Sequence, residues 1–187
     1  MVGLHSLVLP ILVSSVFVFI VSSVVHMMMP WHKNDLKRLE NQDAVMDALR
    51  PLNIPAGDYV MPHVADGKEA RSAEYAEKLK KGPAVVMTVR PANMRMELGK
   101  PLAQWFGLVV IITVFSAYIT GRALGTGTDY LHVFRIMGAS AFMGYSFGLW
   151  PMSIWYGRSW STTFKTTIDG LLYALVTAGT FGWLWPR

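Results

Sequence analysis

The strongest constraint on this chain is the distribution of its charged residues, which leaves long stretches without Asp, Glu, Lys or Arg. Four such stretches occur, at residues 4–30, 101–121, 136–157 and 170–186. A helix needs about 20 apolar residues to cross a hydrocarbon core, because each residue advances about 1.5 Å. Backbone polar groups in lipid must be satisfied within the segment, so these stretches predict helices. The fourth reaches the required length only by including residues 161–169.

The sequence therefore predicts an α-helical membrane protein with four transmembrane helices and a small α/β extramembrane lobe between helices 1 and 2. The predicted division is residues 1–30 for helix 1, 31–100 for the lobe and 101–187 for helices 2–4. A cleaved signal peptide is the alternative for the first stretch. That stretch lacks a basic start and a small-x-small cleavage site, so we expect a retained anchor.

The basic residues predict an orientation for these helices. Twelve of the 17 Lys and Arg fall within residues 31–100, and Arg158 and Lys165 lie between predicted helices 3 and 4. Cytoplasmic loops of membrane proteins carry an excess of Lys and Arg. We therefore expect residues 31–100 in the cytoplasm and both termini outside.

The predicted lobe has nearly balanced charge, with 12 basic and 10 acidic residues, so we expect no nucleic-acid partner. Its pattern predicts a short amphipathic turn at 44–49, a helix at 69–81 and two strands, 58–61 and 84–89, that pair with each other. A lobe of about 70 residues has little core of its own. We expect it to lean on the membrane or on a partner.

Methionine and histidine supply the only constellation with possible metal chemistry. His26 to His32 is a Met-rich segment at the inner end of helix 1, Met61-Pro62-His63 echoes it in the lobe, and Met94 and Met96 precede helix 2. Thioether and imidazole groups suit Cu(I). The candidate copper ligands are Met28, Met29, His32, Met61 and His63. Ordinary packing at a lipid boundary is the alternative that we favour.

Haem is a second cofactor to weigh, because His5 and His132 are both expected near the outer surface. Isolated histidines are common at such a boundary, and we expect no cofactor. Cysteine is absent, which excludes disulfides and Cys-ligated metals within the chain. The sequence also has no phosphate-loop, dinucleotide-binding, zinc-protease or serine-hydrolase motif, so we expect no enzyme.

Charged and small residues inside the predicted helices are the candidate contacts with lipid or with a partner. Charge within a membrane helix is a functional hypothesis by default. We expect Arg135 to reach outward or to meet Asp129, and Asp169 to meet Lys165 or Arg158. Small residues spaced four apart allow helices to approach closely. The candidate contact residues are Arg135, Ser140, Gly144, Asp169 and Trp183.

Two segments carry a resemblance to a known family. Residues 169–186, from Asp169-Gly170-Leu171 to Trp185-Pro186, and the segment Met29-Pro30-Trp31-His32-Lys33-Asn34-Asp35 are similar to those of uncharacterised bacterial four-helix integral membrane proteins. The resemblance spans most of the chain. It implies the architecture and a multi-pass location in the bacterial inner membrane. That family has no established activity, so the resemblance implies no site residue.

These features predict a non-catalytic accessory or assembly subunit of a larger bacterial membrane complex, of the respiratory or photosynthetic type. Its expected partners are membrane lipids and other membrane protein subunits. The alternative is a small-ligand or copper-handling membrane protein that uses the Met/His cluster at the inner end of helix 1.

Overall fold

A computed structural model describes residues 1–92 and 97–187 of the chain. The described residues form two units. The first combines residues 1–36 with residues 97–187, and the second lies within residues 37–96.

The first unit is an antiparallel bundle of four long helices. Helix α1 (Val8–Ser23) is extended by a 3-10 turn (Leu4–Leu7) and a π turn (Val24–Met28), giving one helical segment of 25 residues from Leu4 to Met28. The other helices of this unit are α4 (Gly99–Ala123), α5 (Tyr130–Ser146), the short α6 (Trp150–Tyr156) and α7 (Trp160–Leu184). Helix α1 packs on α4 and α7, and α5 packs on the same two helices from the other side.

Two of these helices, Leu4–Met28 and Gly99–Ala123, are long and apolar enough to span a membrane. Four spanning helices are not established by this criterion. Helix α5 has 17 residues, and α7 has 25 but carries Lys165, Asp169 and six threonines. Helix α5 falls below the criterion for a membrane span because it is short, and α7 falls below it because of its polar residues.

The interior of the bundle is rich in hydroxyl side chains. Thr113, Thr120 and Thr177 are fully buried, and each donates a hydrogen bond of 2.8–2.9 Å to the carbonyl four residues earlier in its own helix. This bond satisfies a buried hydroxyl without a partner from another helix. Large apolar side chains are instead exposed along the outside of the bundle: Leu9, Leu12, Val16, Ile20, Leu108, Ile111, Phe115, Ile119, Phe164, Ile168, Leu171 and Leu175.

The predicted third helix, residues 136–157, differs in the structure. Helix α5 begins earlier, at Tyr130, because the Asp129 side chain accepts hydrogen bonds from the first backbone amides and caps it. The α-helix ends at Ser146, and a 3-10 turn at Phe147–Leu149 leads into α6, which has Pro151 in its first turn. Pro lacks an amide hydrogen and fits the start of a helix better than its interior.

Close contact between α5 and α7 depends on glycine. A Cβ at Gly170 would lie 2.2 Å from Ser146 Oγ and 3.2 Å from the carbonyl carbon of Tyr145. At Gly138 a Cβ would lie 3.2 Å from Ala178 Cβ. The fourth predicted helix includes residues 161–169, as expected, so that its polar first half packs within the bundle.

The second unit contains α2 (Gln42–Leu49), β1 (Gly57–Met61), α3 (Ala73–Lys81) and β2 (Val85–Val89). The strands pair antiparallel with Tyr59 opposite Met87, which confirms the predicted sheet. The predicted helix at 69–81 is divided, because the backbone of Ser72 is extended and its side chain caps α3 by accepting a hydrogen bond from the Tyr75 amide. No residue is buried in the described part of this unit, residues 37–92.

We predict that Gly170→Ala destabilises the bundle, because the added methyl would overlap Ser146 and the Tyr145 backbone. Overpacking of this kind costs about 1–3 kcal/mol, which exceeds the gain of about 0.5–1 kcal/mol from replacing a helical glycine. Thermal unfolding of the purified protein in mild detergent measures the change. Gly107→Ala in α4 is the matched control, because nothing lies within 4 Å of a Cβ there. Equal midpoints for the two variants would contradict the packing described here.

Candidate functional site

A cluster of ionisable side chains lies where the end of the α1 segment meets the first half of α7. His32 is at its centre: Nδ1 lies 2.7 Å from Asp35 Oδ2, and Nε2 lies 2.7 Å from Asp169 Oδ2. The side chains of His32 and Asp35 are each 14% exposed and that of Asp169 is 7% exposed. Each of the two contacts requires one proton, carried either by the ring nitrogen or by the carboxyl oxygen. The three groups therefore hold one proton more than a neutral imidazole with two carboxylates.

Lys165 balances the second carboxylate of the cluster. Its Nζ donates to Asp35 Oδ1 at 2.8 Å and lies 5.8 Å from the centre of the Trp31 ring. Burial by itself would raise the pKa of Asp35, but the hydrogen bonds from Lys165 and His32 outweigh it and hold the pKa below its ordinary value. Asp35 is therefore a carboxylate at neutral pH, and its charge is offset locally.

His26 extends the cluster toward the surface. Its ring stacks on that of His32, with centroids 4.5 Å apart and planes 10° from parallel. His26 Nδ1 lies 3.1 Å from the Ser22 carbonyl oxygen and 3.4 Å from the Tyr173 hydroxyl. The residue lies in the π turn that widens the end of the α1 segment, and such turns are frequent at functional sites. One ligand atom each from His26, His32 and Asp169 lie within 4.8 Å of one another, a spacing that could hold a metal ion.

Two clefts open beside His26. The first is mostly apolar and lies between α1 and α4, where Pro101, Leu102 and Trp105 face Met27. Trp105 Nε1 donates to Ser22 Oγ at 2.8 Å and closes its inner end. The second is lined by residues from His26 to Lys33 and gives solvent a path to the two histidines. The cluster is thus covered at Asp169 and open at His26.

The candidate copper ligands belong to both units. Met28, Met29 and His32 line the second cleft of the bundle unit, whereas Met61 and His63 belong to the unit within residues 37–96. Met94 and Met96 lie outside the described residues. His32 is bonded to two carboxylates, and this pairing was not expected from the Met-rich pattern.

The candidate contact residues fall on two sides of the bundle surface. Ser140 is buried, and a Cβ at Gly144 would lie 2.7 Å from Ile112 Cγ2, so both small residues face neighbouring helices of the same chain. Arg135 and Trp183 are exposed, Trp183 by 70%. Gly144 is exposed as well, so Arg135, Gly144 and Trp183 have surface available to lipid or to another protein.

The histidines considered for haem are both exposed. His132 Nδ1 is hydrogen-bonded to Asp129, which lowers the pKa of that carboxyl. Of the two alternatives for Arg135, reaching outward or meeting Asp129, the structure shows Arg135 exposed and Asp129 capping α5. No described contact joins His5 to His132.

The expected partners of Asp169 were wrong. Lys165 bonds Asp35 rather than Asp169, and the described ion pair of Asp169 is with His32. The predicted topology contained a usable signal, because it placed the end of helix 1 and the start of helix 4 on the same side of the membrane. A charged residue at one depth pairs most readily with an ionisable residue at that depth, which here is His32.

Comparison with known proteins gives no relative: no family model matches the chain, and no curated protein or solved structure is similar to it.

We predict that Lys165→Met destabilises the bundle at pH 7, because the largely covered Asp35 carboxylate loses one of its two hydrogen-bond partners. The expected loss is about 1.5–3 kcal/mol, the usual contribution of a hydrogen bond to a charged group. Thermal unfolding in detergent measures it, with Lys165→Arg restoring most of the loss. The surface pair of Glu74 and Lys78 gives the control variant Lys78→Met, for which we expect little change.

The pH dependence of the same variant supplies a further check. Since the folded pKa of Asp35 is lowered, its contribution is complete above the ordinary value of about 3.9 and is lost as the pH falls through the folded value. The difference between Lys165→Met and the native chain should therefore shrink below about pH 4. A constant difference from pH 7 to pH 3 would contradict this assignment.

Proposed function

We propose that this chain is a non-catalytic accessory or assembly subunit of a larger membrane complex in a bacterial inner membrane, of the respiratory or photosynthetic type. The observation that carries the proposal is the state of the lobe, where no residue is buried among residues 37–92. A domain of about 60 residues normally hides about 60% of the surface that its unfolded chain exposes. This unit has no disulfide, and its described residues form no buried core, so surface supplied by another molecule would stabilise it.

The two-stranded sheet is the surface that we propose for this contact. Val60 and Val86 are directly opposite each other and are 45% and 50% exposed, and they share their face of the sheet with the hydrogen-bonded pair Asp58 and Thr88. An isolated two-stranded sheet is at best marginally stable in water, and both of its edges remain open for pairing. A protein subunit that packs on this face would add the apolar contacts that a two-stranded sheet lacks by itself.

In the proposed arrangement α1, α4, α5 and α7 all span the membrane. The distribution of polarity supports four spans, since the buried threonines and Asp169 of α7 face inward while Ile168 and Leu171 face outward. Lipid tails favour apolar side chains on the outside of a bundle, and interiors of membrane bundles are enriched in small and hydroxyl residues. The excess of Lys and Arg in residues 31–100 supports a cytoplasmic lobe with both termini outside.

We predict that the protein purifies from its native membranes, in mild detergent, together with a fixed set of other membrane subunits. Val60→Lys combined with Val86→Lys should reduce their recovery at least tenfold, because both changes place charge on the proposed contact. Leu52→Lys is the control, since Leu52 is 64% exposed in the same unit but outside the sheet. A monodisperse monomer without companions would contradict the proposal, as would equal losses in the control.

The absence of cysteine makes the topology directly testable, because any single introduced thiol is unique. In spheroplasts, an impermeant maleimide should label Thr126→Cys in the α4–α5 loop. Glu77→Cys in the lobe and Ser159→Cys between α6 and α7 should react only after permeabilisation. Labelling of Thr126→Cys and Ser159→Cys from the same side would contradict a four-span arrangement.

The second candidate is a copper-handling membrane protein that uses Met28, Met29, His32, Met61 and His63. The observation in its favour is that Met28, Met29 and His32 line one cleft that is open to solvent. Thioether and imidazole ligands favour Cu(I). Elemental analysis tests it: we expect about one equivalent of copper, lost in Met28→Leu combined with Met29→Leu, and less than a tenth of an equivalent contradicts it.

A further inference from the structure

We propose that His26, His32 and Asp169 form a binding site for a divalent first-row transition metal ion such as Zn²⁺ or Fe²⁺. Two imidazoles and one carboxylate are a common ligand set for these ions, which leaves further coordination positions for water or substrate. The three potential ligand atoms already lie within 4.8 Å of one another. Metal–ligand bonds of about 2.0–2.2 Å would require these atoms to draw closer. One imidazole ring would also have to turn out of the parallel stack, because the lone pair of Nε2 lies in the plane of its ring.

The contacts around the two histidines carry this proposal beyond the spacing of three residues. A metal-ligating histidine almost always donates its other ring N–H to a carboxylate or a backbone carbonyl, which fixes the tautomer and the ring orientation. His32 Nδ1 lies 2.7 Å from Asp35, and Asp35 is in turn held by Lys165 at 2.8 Å. His26 Nδ1 lies 3.1 Å from the Ser22 carbonyl oxygen. Both rings thus have Nδ1 anchored, and both Nε2 atoms remain as the potential ligands.

The charges of the cluster suit a dication. Lys165 offsets Asp35, so Asp169 is the carboxylate left to neutralise an ion. A hydrogen bond joins His32 Nε2 to Asp169 Oδ2 at 2.7 Å, and its proton lies where the ion would bind. On binding, that proton leaves to solvent and both His32 Nε2 and Asp169 become ligands. His26 is exposed beside an open cleft, which provides a route of entry.

The competing explanation is an ion-pair network in which His32 is held permanently as an imidazolium between two carboxylates. That network accounts for His32, Asp35 and Asp169. In that network His26 contributes only by stacking 4.5 Å from His32 and by the contact of its Nδ1 with the Ser22 carbonyl oxygen. A metal ion accounts for all four residues.

The ligand atoms also distinguish this site from the copper candidate. Nitrogen and carboxylate ligands suit Zn²⁺, Fe²⁺ and Cu²⁺, whereas Cu(I) prefers the thioethers of Met28 and Met29. The two sites share only His32. Substitutions at His26 and Asp169 therefore test the divalent site, and substitutions at Met28 and Met29 test the copper site.

The experiment uses the full chain in mild detergent, freed of metal by a chelator and titrated with Zn²⁺, with Co²⁺ as the spectroscopic probe. We expect one equivalent of Zn²⁺ at micromolar affinity or better, a rise in thermal unfolding midpoint on binding, and Co²⁺ d–d absorption. His26→Gln and Asp169→Asn should each weaken binding at least tenfold, and Asp35→Asn should weaken it about 10–100-fold through loss of orientation.

Two controls keep the result interpretable. His132→Gln, at an exposed histidine in the same unit, and Met28→Leu combined with Met29→Leu should bind Zn²⁺ as the native chain does. His26 is exposed and is the ligand whose loss least disturbs folding, so the unfolding midpoint of His26→Gln without metal should equal that of the native chain. Absence of stoichiometric Zn²⁺ and Co²⁺ binding, or equal affinities for His26→Gln and the native chain, would overturn the proposal and leave the ion-pair network. Neither result bears on the co-purification that tests the accessory-subunit proposal.

Discussion

The bundle depends on how closely α5 approaches α7. Gly170 leaves no room for a methyl group against Tyr145 and Ser146, so the two backbones nearly touch at this point. In lipid, apolar burial supplies little force between helices, and close packing with polar contacts decides how they associate. With Gly170 held against α5, the neighbouring Asp169 faces the end of the α1 segment and meets His32. The close contact at Gly170 therefore fixes the rotation of α7 about its axis, and this rotation decides which residue Asp169 meets.

The contact between Asp169 and His32 gives a largely buried carboxylate a partner and brings potential metal ligands together. Asp169, with 7% of its side chain exposed, would be costly to bury without a partner, and His32 supplies one, while Lys165 offsets the charge of Asp35. The Nδ1 atoms of His26 and His32 contact the Ser22 carbonyl oxygen and Asp35, so their Nε2 atoms are the potential ligands. A cluster with these contacts can hold a proton or exchange it for a metal ion, and the open side at His26 makes the exchange physically accessible.

The lobe differs from the bundle in how much of its chain is buried. The bundle buries hydroxyl groups inside and exposes apolar groups outside, whereas residues 37–92 bury nothing and keep only local order from caps, turns and one strand pair. Ser72 capping α3 and the register of Val60 with Val86 are local interactions that define shape without supplying a core. A unit of this kind gains stability from what it contacts, which is why we assign it a role in association.

Much of the fold followed from local sequence patterns. Uncharged stretches located α1 and α4, because composition and length alone determine whether a helix suits a membrane. Turn and cap residues located both strands and the short helices of the lobe within a few positions. The third predicted helix was misplaced because the cap at Asp129 and the break near Pro151 outweigh an uncharged run.

The sequence also singled out His32 and Asp169 separately. It did not pair them, and expected Lys165 or Arg158 instead, because 137 residues separate the two groups and their meeting depends on the rotation of α7. The sequence by itself determined which segments are helices and where charge is scarce. Only the tertiary structure decided which charges meet, since that depends on the packing of one helix face against another.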